Sequence, residues 1–85
     1  MRKTIYSPGQ AILIRVLREL LLAAGFQQGE LAKRLGTSQS VISKIETGDR
    51  QIDILELRQY CRAAGTNLEE FVHRLERELS EQEAQ

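Results

Sequence analysis

A chain of 85 residues has room for one small hydrophobic core, and its lone cysteine, Cys61, excludes an intramolecular disulfide and any multi-cysteine zinc site. Formal charge sums to zero, yet residues 1–50 carry eight Lys/Arg against four Asp/Glu and residues 51–85 the reverse, an asymmetry that suits either a basic face turned to a polyanion or a merely solvated surface. The longest apolar run, Leu20 to Ala24, is too short to span a bilayer, and no signal-type leader opens the chain, so the expectation is a cytoplasmic protein with no membrane contact.

Apolar residues recur with helical period throughout and no segment alternates over strand length, so the fold class expected is all-α. Ser7 before Pro8 signals a capped start, and Gly25 stops a first helix of about 8–24. Leu31, Ala32 and Leu35 form the stripe of a second helix, about 28–35, whose cap position holds the poorly suited Gln27. Ser38 caps a third helix, 39 to about 46, with Val41, Ile42 and Ile45 inward and Gly48 at its end. Asp53 with Glu56 reads as a capping box for a fourth helix ending at Gly65, and Asn67 with Glu70 repeats the pattern for a fifth through Leu68, Phe71, Val72, Leu75 and Leu79. One domain, 1–85, is expected, with its core at about 8–79 and a polar tail at 80–85.

Only Gly36 and Thr37 join the second and third helices, which fixes them at a steep angle. At about 100° per residue, Gln39, Ser40, Ser43 and Lys44 fall on the outer face of the third helix, opposite Ile42 and Ile45. Taken singly, such residues are ordinary solvated side chains.

The segment QQGELAKRLGTSQSVISKIETGDR, residues 27–50, resembles the helix-turn-helix family of Cro and phage-repressor type, often called XRE-type. Gln28, Ala32, Gly36, Ile42 and Ile45 stand where that motif has its opening polar residue, small residue, turn glycine and core aliphatics. The likeness extends over about residues 8–79 and implies a compact five-helix bundle of lambda-repressor-like type. It also implies recognition of double-stranded DNA, with the third helix in the major groove. Gln39 would offer donor and acceptor to an adenine edge, Lys44 would donate to guanine, and Ser40 and Ser43 would bond to bases or phosphate. Phosphate contacts are expected from Gln28, Ser38, Thr47 and Arg50, with Lys33 and Arg34 assisting or serving solubility alone.

Three positions depart from the family pattern. Leu21 replaces the arginine that in relatives pairs with the glutamate standing here as Glu46; Gly29 weakens the second helix; and Asp49 would repel nearby phosphate. The first helix is apolar nearly all round: Leu13, Val16, Leu17, Leu20 and Ala24 suffice for one stripe, leaving Ile12, Ile14, Leu21 and Leu22 additional. Either residues Lys3 to Tyr6 fold back over it, or a partner does. Ile14 and Leu21 are therefore an expected dimer or partner surface, and so are Leu75 and Leu79, which carry the fifth helix's stripe past what a small core needs and lie in the C-terminal part through which the resembling proteins commonly dimerise. The function expected is a repressor that binds an inverted repeat as a homodimer. The alternative is a protein-interaction module, such as an antitoxin holding a toxin through helix one. No catalytic constellation or phosphate-binding glycine loop is visible, His73 lacks a second ligand, and an enzyme, a metal and a cofactor are not expected.

Overall fold

The computed structural model describes residues 7–84, and within them five helices follow in order: α1 (Pro8–Ala23), α2 (Gln28–Leu35), α3 (Gln39–Glu46), α4 (Ile54–Ala63) and α5 (Leu68–Glu83). The expected fold-back of Lys3 to Tyr6 lies outside the described residues. Each start follows from local hydrogen bonding. Ser7 accepts from the Gln10 amide, Ser38 from Val41 and Asn67 from Glu70, while Asp53 and Glu56 complete a reciprocal box. The exception is α2, where Gln27 makes no side-chain cap bond.

Gly36 sets the joint between α2 and α3. Its φ of 69° is left-handed, which lets the Thr37 amide reach back to the Ala32 carbonyl at 3.0 Å and the Gly36 amide to Lys33 at 3.3 Å. The chain thereby reverses within the space that Thr37 and Ser38 need before α3 begins.

The core is a single apolar cluster in which Val16, Leu17, Leu31, Ile42, Ile45 and Cys61 are almost wholly inaccessible. Burial pushes the Cys61 thiol up from its ordinary value. The Tyr60 side chain is also buried, its hydroxyl has no hydrogen-bond partner among the described residues, and burial pushes its phenol up to about 12.

Helix α1 buries a different set of residues from the one its sequence suggests. Ile12 and Leu21 join Val16 and Leu17 in the core, Ala24 is exposed, and Leu13 and Leu20 are partly covered. The cause is that α1 packs against both α3 and α5, so it needs two apolar flanks rather than one stripe. Leu21, 3% exposed, cannot belong to a partner surface. Leu75 and Leu79 are likewise partly buried against the core, Leu79 lying next to Gly9 of α1.

Helix α5 runs antiparallel along α1, and a ring of charges closes over the seam. Arg15 meets Glu78 at 2.5 Å and Glu19 at 3.5 Å, while Arg74 meets Glu78 at 2.9 Å and also pairs with Glu19. Hydrogen bonds from Arg74 and Arg15 hold the Glu78 carboxyl below its usual range. Residues 80–83, expected as a tail, continue the helix. Their polarity marks exposure, and Glu and Gln are good helix formers in water.

Candidate nucleic-acid interface

The face of α3 turned away from Ile42 and Ile45 presents Gln39, Ser40 and Lys44 exposed and Ser43 half-buried. This is the face that the helical spacing assigns to them. The joint at Gly36 brings the beginnings of α2 and α3 together, so that Gln39 Nε2 lies 3.4 Å from Gln28 Oε1. Gln28 in turn donates through Nε2 to Glu46 Oε1 at 3.0 Å. A relay thus runs from the end of α3, through the first residue of α2, to the first residue of α3. Gln39 itself is exposed, and its Oε1 and second Nε2 proton form no hydrogen bond with a described residue, so both remain available to a ligand. Gly29 lies beneath, with Gln39 Oε1 3.7 Å from where a Cβ would stand.

The relay also answers what Glu46 does without the arginine that relatives place opposite it. Leu21 fills that position with core, and the carboxylate takes its hydrogen bond from Gln28 rather than from a basic side chain. Gln28 is consequently half-buried and structural as well as close to the exposed front of α3.

Ser38 accepts from the Val41 amide at 3.2 Å, which leaves its hydroxyl proton available to an anion. The uncapped start of α2 keeps its first amides without a side-chain partner at the positive end of the helix dipole. Lys33 and Lys44 are exposed and form no ion pair among the described residues.

Three expected phosphate contacts are placed otherwise. Arg50 forks onto Glu56, Nη1 to Oε1 at 3.2 Å and Nη2 to Oε2 at 2.8 Å, with the same Nη1 3.5 Å from the Gln51 carbonyl. The Arg50 guanidinium, with the Asp53 amide, holds the Glu56 carboxyl below its ordinary value. Arg50 therefore latches the loop after α3 to the capping box of α4, because a bidentate carboxylate is at hand six residues on; its charge is already matched. Thr47 directs its hydroxyl to the Lys44 carbonyl at 3.2 Å and to Asp49 Oδ2 at 3.3 Å, so its one proton closes the end of α3. Arg34 stacks its guanidinium 4.8 Å from the Phe26 ring centroid, at the far end of α2 from Gln28.

Two features escape the sequence reading. Ile54 and Leu55, at the start of α4, are 58% and 70% exposed. Arg58 and Arg62 share a shallow cavity with Arg34. Leu55, Arg58, Gln59 and Arg62 are spaced three, four and seven apart, off the Leu57, Tyr60 and Cys61 face, and that spacing is the signal that could have found them. Of the first helix's surplus, Leu22 is 72% exposed and Ile14 half-buried beside it in a groove. No helix of the described residues is long and apolar enough to cross a membrane, and no cluster of potential metal ligands occurs among them.

A helix-turn-helix family model matches residues 17–71, from the middle of α1 into α5. Among solved structures, an XRE-family like protein from Pseudomonas syringae pv. tomato is 40% identical, with a TM-score of 0.76 over 80% of this chain and 83% of that one. The clp gene regulator ClgR from Corynebacterium glutamicum superposes with the same TM-score of 0.76 over 92% of this chain and 83% of that one, but at 22% identity the likeness is one of fold. A search of curated proteins gives no match. The joint at Gly36, the exposed front of α3 and these likenesses agree, and the chain belongs to the XRE-type helix-turn-helix family of DNA-binding transcriptional regulators.

Proposed function

We propose that the protein is a sequence-specific repressor that binds an inverted repeat in duplex DNA as a homodimer. The observation that carries this reading is the relay Glu46, Gln28, Gln39, which holds a bidentate carboxamide at the leading end of an exposed helix. A side chain steered by even a long 3.4 Å contact gives up less freedom on meeting a base edge than an unrestrained one, and a glutamine matches the N6 and N7 of adenine. Lys44, one turn and a little further along the same face, donates to guanine acceptors, and Ser40 and Ser43 bond to bases or phosphate between them. Ser38, Lys33 and the first amides of α2 hold the phosphates on either side.

Two copies give the neutral chain its grip, since the basic side chains near one reading helix are few once Arg50 is matched by Glu56. Exposed Ile54 and Leu55, just beyond the loop that follows α3, support a two-fold contact there. Such a contact sets two α3 helices about one DNA turn, roughly 34 Å, apart. The test is selection from random duplex pools by the full chain. Enrichment of an inverted repeat with half-sites one turn apart supports the reading, and failure to enrich any sequence sinks it.

One observation favours a second reading, in which the domain also holds a protein such as a toxin through α1. Leu22 is 72% exposed and borders a groove with Ala11 and Ile14. Leu22→Glu should then abolish capture of that protein while leaving DNA selection unchanged.

A further inference from the structure

We propose that the cavity between the end of α2 and the outer face of α4 is a docking site for an acidic segment of another protein. The cavity is lined by Arg34, Arg58 and Arg62 around Leu35, Gln59 and Ala63. Among the other described arginines, Arg15, Arg50 and Arg74 each meet a carboxylate, while Arg18 and Arg77 form no ion pair with a described residue; what sets this cavity apart is that three such arginines line it together. None of the three cavity arginines forms an ion pair with a described residue; Arg34 only stacks on Phe26. Arg34 and Arg62 lie in last turns, where the helix dipole favours a cation, but this accounts neither for Arg58 nor for the convergence of all three on one cavity.

The chemistry of the cavity selects its occupant. Guanidinium forks pair with carboxylates in two parallel bonds, and Leu35 and Ala63 give an aliphatic floor on which an apolar side chain of the same segment rests. A phosphodiester backbone has no use for that floor. The cavity also lies at the opposite end of α2 from Gln28 and Gln39, so its occupant leaves the reading face of α3 open. A second copy of this chain does not suit it: a two-fold contact centred here would set the arginines of one copy against those of the other. The fitting partner is an acidic amphipathic helix, with carboxylates one turn apart and leucine between them, which joins the regulator while it sits on DNA.

The test uses the full isotope-labelled chain and a capped amphipathic peptide with glutamates one turn apart and leucines between them. A matched peptide carries glutamine for each glutamate. Saturable NMR shifts are expected at Arg34, Leu35, Arg58, Gln59 and Arg62, weakened about tenfold or more by the glutamine peptide or by the Arg58→Gln/Arg62→Gln variant. Both positions are exposed, and a thermal melt of the variant checks that its fold is intact. Gln39→Ala should leave the shifts unchanged, which separates this site from the DNA reading. Equal binding of the two peptides, or no saturable shift, overturns the proposal. So does displacement of the peptide by random duplex DNA, which would make the cavity a phosphate site, or the same shifts on concentrating the protein alone, which would give it to a second copy.

Discussion

The exposure of Gln39 at the front of α3 is legible from sequence, but its contact with Gln28 is not. Nothing in the spacing of Gln28, Gln39 and Glu46 says that their side chains meet, because the meeting depends on the angle set at Gly36. Gln39→Ala is expected to cost about 1–3 kcal/mol at one base position per half-site. Gln28→Ala should weaken discrimination at that same position, since Gln39 then loses its hold, and should also destabilise the fold by leaving Glu46 without its partner. Binding to single-base variants of the selected site, read beside thermal melts, separates the two effects. Arg50 is the opposite case, an arginine whose sequence context reads as a clamp and whose nearest carboxylate decides otherwise. Arg50→Ala should lower the melting temperature while leaving the salt slope of DNA binding almost unchanged; a drop of about one unit in that slope would restore it to the phosphate contacts. Tyr60→Phe removes a buried hydroxyl that has no partner among the described residues, so the variant should be as stable as the parent or more so in urea denaturation.

At the scale of elements, capping and periodicity carried most of the information. Serine, aspartate and asparagine caps mark the starts of α1, α3, α4 and α5 within a residue, because those side chains bond amides only three residues away. What periodicity could not tell is how many neighbours a helix has. The apolar surplus of α1 looks like an unfilled surface until α3 and α5 are both placed against it, and Leu21 then becomes core. In α2, Gly29 is helical with ordinary room for a methyl group, so Gly29→Ala should stabilise the fold by about 1 kcal/mol in denaturant melts. Gly36→Ala should cost about 1–2 kcal/mol, the penalty of a left-handed L-residue, and loosen the joint.

For the molecule as a whole, the pairing of α1 with α5 sets an acid limit. Glu78 and Glu56 both have carboxyls held below their ordinary value in the folded chain. Their contribution is therefore complete above the unfolded carboxylate pKa of about 4.3 and is lost as pH falls through the lower folded values. Melting temperature should fall as pH drops below that point, and less steeply in Glu78→Gln or at high salt, because much of the ring is exposed. The charge asymmetry between the halves of the chain translates only partly into a basic face, since ion pairs absorb Arg15 and Arg50 of the basic half while Arg58 and Arg62 of the acidic half stand together on α4. On the proposed function, the relay from Glu46 to Gln39 presents a base-reading side chain. This is tested most directly by measuring the affinity of the parent and of Gln39→Ala for every single-base variant of the selected inverted repeat. Gln39→Ala should lose discrimination at one base pair in each half-site and keep it elsewhere; a uniform loss across all positions would mean that Gln39 reads no base.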